Sequence, residues 1–204
     1  MSKIKLTKNE LKKQKDGLKM YRRYLPTLIL KKQQLQAEIR TTELRVRELV
    51  EEKNRLDESF KSWIAVFGET GIFTPDIVRV SSVKTAHGNI AGVDIPIFEG
   101  AEFTVSFYDL LNTPLWLDAA IERVQKVLLL DIEAQVVSEQ RKRLEHELRI
   151  TNQRVNLFEK IKIPETTTNI RKIQVYLGDQ QTSGVVRGKI AKQGLSKAAT
   201  GGFQ

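Results

Sequence analysis

Two adjacent acidic pairs, Glu51 with Glu52 and Asp57 with Glu58, are the first residues in this chain that could do chemistry, because paired carboxylates can divide general acid and general base work. They lie in a long run of helical periodicity, and nothing around them suggests a concave surface to hold a substrate. They therefore read as a hydrated helix face. The two histidines offer no more. His87 stands in the turn-like stretch His87-Gly88-Asn89, and His146 sits between Glu145 and Glu147 with no second histidine at helical spacing to complete a metal site. With no cysteine in the chain, disulfides, thiolate nucleophiles and Cys-based zinc sites are excluded. No glycine-rich phosphate loop and no dinucleotide fingerprint is present. The sequence thus predicts no catalytic residue, no metal ligand and no cofactor.

A basic run, Lys12, Lys13, Lys15, Lys19, Arg22 and Arg23, carries a different kind of chemistry. Such charges neutralise phosphates, and Tyr21 and Tyr24 among them could stack on bases, so a coiled-coil nucleic-acid adaptor is the alternative reading. Against it, no recognised nucleic-acid motif accompanies the patch, and Tyr21 is already used by the element that holds these residues.

That element is a helix. Alternating steps of three and four from Leu11 land on Leu18, Tyr21, Leu25, Leu28, Leu35, Ile39, Val46, Leu49, Leu56, Phe60, Trp63 and Phe67, missing only at Gln14, Lys32, Thr42 and Lys53. A seam repeating every 3.5 residues needs a partner helix wound around it. The same stepping from Val127 reaches Leu130, Ala134, Val137, Leu144, Leu148, Val155 and Phe158, with Arg141 and Thr151 as misses. Two such seams flanking a different middle segment predict a mainly α fold: one antiparallel, left-handed two-helix coiled coil within the chain. If Phe67 lies level with Leu117, paired positions sum to about 184, which sets Leu56 against Leu128 and Pro26 against residue 158.

The boundaries follow from local signals. Thr7 with Glu10 three residues later is a capping box, Gly68 and Pro75 stop the first arm, and Thr113-Pro114 opens the second with Asp118 in its first turn. Between them, β-branched runs around His87-Gly88-Asn89 predict a β-hairpin over 76–108, with a third short strand at Phe103, Val105 and Phe107. This segment reads as a satellite that the coiled coil does not require. Pro96 marks an edge strand. Trp63, Phe67, Phe103, Phe107 and Trp116 are predicted to form a knot of core where helices and hairpin meet. Pro26 and Pro164 each remove a helical hydrogen bond, and the apolar phase changes after Pro164, which predicts a stutter. The organisation is then an arm at 1–67, a hairpin segment at 68–114, a second arm at 115–178 and a flexible basic tail at 179–204.

Only 7% of the 204 residues are aromatic while 29% are charged, which suits a narrow seam better than a globular core. Charge is unevenly spread: residues 1–40 carry 12 Lys+Arg against 3 Asp+Glu, residues 41–140 carry 9 against 17, and residues 141–204 carry 13 against 5. An antiparallel hairpin brings the two basic thirds together, and an acidic partner would offset their repulsion. No uncharged apolar run is long enough to span a membrane, so a soluble or peripherally bound chain is expected.

These residues resemble a known family. Arg154-Val155-Asn156 with Glu159, Ile163 and Pro164, then Thr113-Pro114 with Trp116 and Asp118, and Val93-Asp94-Ile95-Pro96 are together similar to the D subunit of the V-type and archaeal-type (A-type) rotary ATPases. The likeness runs from about Thr7 to Pro164. Two departures are Asn112, where many members have Asp, and the ending after Gly178. The resemblance implies a non-catalytic central shaft that carries torque between the catalytic head and the membrane rotor during ATP synthesis or hydrogen ion transport. It implies partners in the A and B subunits of the head, in the F subunit and in the subunit capping the membrane ring, with no small-molecule substrate. It implies a cytoplasmic, peripheral location. Candidate partner-binding residues are Lys12, Lys15, Lys19, Arg22, Arg23, Arg154, Asn156, Glu159, Pro164, Arg187 and Lys189.

Overall fold

In the computed structural model, which describes residues 4–61, 77–108, 113–114 and 116–200, Thr7 starts the first helix as its sequence predicts. Its Oγ1 accepts the Glu10 amide at 3.3 Å and its carbonyl accepts the Leu11 amide at 3.0 Å. The Glu10 side chain does not reach back to Thr7 but accepts a bond from Gln14 at 2.8 Å. From there α1 runs unbroken over Lys8–Lys61, straight through Pro26. Two strands follow, β1 at Val78–Ile90 and β2 at Val93–Val105, then α2 at Trp116–Asn156, a π-helical turn at Leu157–Lys162 and α3 at Ile163–Thr200. The fold is mainly helical, with long N- and C-terminal helices and a two-stranded antiparallel hairpin between them. No helix among the described residues is long and apolar enough to cross a membrane.

The chain divides into two compact units, one of residues 1–30 with 152–204 and one of residues 31–151. In the second unit, α1 and α2 run antiparallel. Their flanking ion pairs descend in α2 as they ascend in α1: Lys31 with Glu147 at 2.7 Å, Arg45 with Glu133 at 2.6 Å and Lys53 with Asp131 at 2.7 Å. The paired numbers sum to 178, 178 and 184, so the register predicted near 184 is met at Lys53 and drifts by six at the other two. Between these pairs the seam is apolar and buried. Leu49, Leu130 and Val137 form one buried cluster with Val46, Leu56 and Ala134 packed against it. Thr42 sits buried in the seam, as its place in the repeat requires, and is satisfied by its own helix through the Ile39 carbonyl at 2.8 Å.

The hairpin is not a satellite. Ile95, only 3% exposed, shares a core with Leu35 and Ile39 of α1 and Leu144 of α2, and Ile90, Ala91, Val93 and Leu148 pack around it. The strand register also corrects the sequence reading. His87, Gly88 and Asn89 are inside β1, and the reversal falls at Ala91-Gly92, both at positive φ (51° and 77°), as a two-residue hairpin turn of right twist demands. Phe103 and Val105 belong to β2, opposite Val80 and Val78, so the third strand predicted there does not form. Near its base the hairpin joins a second core of Ile77, Val78, Leu117 and Ile121, with Phe103, Tyr108 and Trp116 against it. Phe103 and Trp116 thus enter the predicted knot, Phe107 is fully exposed outside it, and Trp63 and Phe67 lie outside the described residues.

In the first unit the predicted stutter has a concrete form, placed one turn earlier than the sequence suggested. Pro164 has no amide proton, and its ring crowds the carbonyl four residues back. The turn before it widens to the i to i+5 pattern, so that the Ile163 amide bonds the Phe158 carbonyl. The ring of Phe158 faces Tyr21, centroids 5.1 Å apart, which moves its partner five residues away from the Pro26 predicted for it. Past the turn, Thr166, Asn169 and Ile173 are buried. The segment expected to be a flexible tail continues α3 as helix to Thr200 with its side chains exposed as far as Ser196; alanine, lysine, glutamine and leucine favour helix there, against the cost of Gly184, Gly188 and Gly194.

Candidate functional site

Lys12, Lys15, Lys19 and Arg22 follow one another at helical steps of three and four, so α1 presents them as a stripe, with Arg23 beside it. All five are exposed. The stripe lies about 100° around the helix from the seam that Leu11, Leu18, Tyr21 and Leu25 supply, because each member follows a seam position by one residue. Packing of the seam therefore turns the charges to solvent. Arg154 and Asn156 end α2, Glu159 is in the π turn and Pro164 is in the first turn of α3, all exposed, while Val155 between the first two is 6% exposed. The motif that carried the family resemblance thus wraps the π turn, with Val155 buried, Ile163 half-buried and the others exposed. Arg187 and Lys189 stand on the exposed stretch of α3.

Every one of these candidates falls in the first unit. That unit contains 18 Lys+Arg and 5 Asp+Glu, a net +13, whereas the second contains 16 and 20, a net −4. Among the described residues of the first unit no ion pair joins its helices; Lys162 with Glu165, at 3.7 Å, is a local pair three residues apart. The cations of the stripe are turned outward, and among the described residues no carboxylate pairs with them. In the second unit three ion pairs join α1 and α2. Glu133 holds the Arg45 guanidinium above its ordinary pKa by a hydrogen bond, and Asp131 does the same for Lys53.

The sequence reading missed a groove in the basic unit. Leu6, Thr168, Arg171, Lys172, Val175, Tyr176 and Asp179 line an open trough of about 570 Å³. The change of apolar phase beyond Pro164 was its signal, since that shift rotates Arg171, Lys172 and Val175 relative to the earlier seam. Of the acidic pairs weighed first for chemistry, Glu51, Glu52, Asp57 and Glu58 are all exposed on α1, and Glu51 meets Arg55 of its own helix at 4.0 Å. His87 pairs across the hairpin with Pro96, and His146 is exposed on α2. Among the described residues no three His, Asp or Glu side chains are grouped to hold a metal ion.

The chain matches the family model of the ATP synthase D subunit over residues 10–193. It belongs to the ATP synthase D-subunit family. Among its relatives, the V-type ATP synthase D subunit of Borreliella burgdorferi is 52% identical over 197 residues, covering 97% of each chain. The proteins of that name from Chlamydia trachomatis and Chlamydia abortus are 36% and 33% identical, over 96% of this chain and 98% and 95% of theirs. The D subunits of these organisms thus align with this chain nearly end to end, and the aligned span includes both seams, the hairpin and the basic stripe.

Proposed function

We propose that this chain is the central shaft of a V/A-type rotary ATPase, a non-catalytic subunit that carries torque between the nucleotide-turning head and the membrane rotor. The observation that supports this most directly is the division of labour between the units. One unit is ion-paired and has a buried apolar seam, as a stiff torque-bearing rod should have. The other carries a net +13, and among its described residues no ion pair between helices takes that charge up. Many weak charge contacts suit a bearing, since each must break and reform at every step of rotation, and exposed ion pairs are worth roughly 0 to 1 kcal/mol each. On this reading Lys12, Lys15, Lys19, Arg22, Arg23, Arg154, Asn156, Glu159, Pro164, Arg187 and Lys189 face the alternating A and B subunits of the head. The F subunit and the cap of the membrane ring take other surfaces, and the complex holds the chain at the cytoplasmic face of a membrane.

The test is single-molecule rotation. The chain has no cysteine, so Phe107→Cys at a fully exposed position gives one attachment point for a bead on the assembled complex. With the head fixed to a surface, ATP should drive stepwise rotation in one direction. Steady ATP hydrolysis with a stationary bead would refute the shaft.

A further inference from the structure

The second unit contains a design that neither the seam nor the family reading calls for. Heptad seams are degenerate along their axis, because a slide of seven residues, about 10 Å, sets apolar residues against apolar residues again. Register is then fixed by polar groups that bond across the seam. Here such groups are few and weak: the buried Thr42 hydroxyl bonds to the Glu38 and Ile39 carbonyls of its own helix, and Lys53, the seam position that does reach across, meets Asp131 at 2.7 Å with both side chains part-exposed. The three ion pairs that cross have side chains between 18% and 49% accessible, and such pairs contribute about 0 to 1 kcal/mol each.

The hairpin supplies what the seam lacks. Its base is rooted on the first two turns of α2, where Ile77, Val78 and Phe103 pack with Leu117 and Ile121. Its tip lies at Leu144 of the same helix and, at once, on Leu35 and Ile39 of α1. From Ile121 to Leu144 an α-helix rises about 35 Å, and from Leu117 about 40 Å. From Val105, which pairs with Val78 at the root, to Ile95 at the tip is ten residues of strand, about 33 Å, which matches the stretch of α2 from Ile121 to Leu144. Two α2 side chains hold the β2 edge in place: Gln140 donates to the Pro96 carbonyl, and Arg143 donates to the Asp94 carbonyl at 3.3 Å. Because Pro96 has no amide proton, its carbonyl is what this edge offers a donor from outside.

We propose that the β-hairpin is an axial ruler, rooted on α2 at Leu117 and Ile121 and latched over Leu35, Ile39 and Leu144, that fixes the register of α1 against α2 and resists their sliding. One end of the ruler is fastened to one helix. The other grips the second helix, so any slide must first pull Ile95 out of its buried seat.

The experiment uses the full chain with nitroxide labels at Arg47→Cys and Arg149→Cys, two exposed positions well offset along the unit, and reads their separation by pulsed electron resonance. With the hairpin intact one narrow distance is expected. In Ile95→Ser combined with Gln140→Ala and Arg143→Ala, the ruler predicts a second population displaced by about 10 Å, one heptad of helix, with the far-ultraviolet helical signal retained. A single unchanged distance in that variant overturns the proposal. Should the triple variant lose its helical signal, Gln140→Ala with Arg143→Ala alone, which leaves every apolar contact in place, decides the matter under increasing urea. Broadening at lower urea than in the parent supports the ruler, and coincident curves overturn it.

Discussion

The two units of this chain use similar helices for opposite ends. In residues 31–151 three ion pairs join the two helices, leucines close the seam, and a hairpin is seated over both helices. In residues 1–30 with 152–204 the cations of the stripe face out, the second helix is widened by a π turn, and polar Thr166 and Asn169 share the buried positions with Val155 and Ile173. The contrast teaches that one heptad pattern can serve stiffness or solvent-facing charge, depending on which residues flank the seam.

The largest expected effect lies in the ion-paired unit. Leu144→Ala empties a fully buried position between Leu35, Ile39 and Ile95 and should cost about 3 kcal/mol, read from urea unfolding followed by circular dichroism. Ile190→Ala, on the outward-facing stretch of α3 and 63% exposed, should stay within about 0.5 kcal/mol. Equal losses at the two positions would erase the distinction drawn between the units.

Reversing Lys12, Lys15, Lys19 and Arg22 to glutamate should weaken assembly with the ATPase head at least about tenfold at low salt and progressively less as salt rises, because screening shortens the reach of exposed charge. Single changes such as Lys19→Gln or Arg22→Gln should leave ATP turnover of the assembled complex within about twofold, since each exposed contact is weak. Loss of turnover from one such change, with assembly intact, would replace the distributed surface by a specific catch.

A smaller effect is expected at the hairpin tip. Gly92 has φ of 77° and open space where a Cβ would stand, with only the Lys31 Nζ at 3.9 Å, so Gly92→Ala should cost about 1 to 2 kcal/mol from backbone strain alone. The loss should appear as earlier unfolding of the hairpin cores, read by amide exchange.

The smallest effect is on pH dependence. Lys53, through its hydrogen bond to Asp131, and Tyr108, through its hydrogen bond to Asp118, bind their protons more tightly folded than unfolded. Both therefore stabilise the fold below their unfolded values near pH 10, and that contribution fades as pH rises through the raised folded values. Asp131→Asn should flatten the Lys53 part of the alkaline limb of the stability curve, read by urea unfolding at a series of alkaline pH values.

The two seams, the Thr7 cap and the basic stripe were legible in the residues because each depends on spacing within one helix or on charge, which adds along a chain whatever its fold. The hairpin was legible as a hairpin, but not its turn, since Ala91 at positive φ breaks the preference for glycine or asparagine that pointed instead to His87-Gly88-Asn89. Its docking left a trace in α2, where Leu129, Ile132 and Val136 form a second apolar stripe on the side that carries Gln140 and Arg143.

What tertiary structure alone decided is axial. A heptad repeat says that two helices pair and is silent on which of several registers they take, because shifted registers bury nearly the same area. On the ruler proposed above, the register that is adopted depends on tip contacts of Ile95 with Leu144 and Leu35, 49 and 60 positions away in the chain, and on ion pairs such as Arg45 with Glu133 that only the chosen alignment brings together. The π turn has the same origin: Pro164 forbids one hydrogen bond, but whether a helix bends, breaks or widens in response is settled by what it packs against, here the ring of Tyr21 against Phe158.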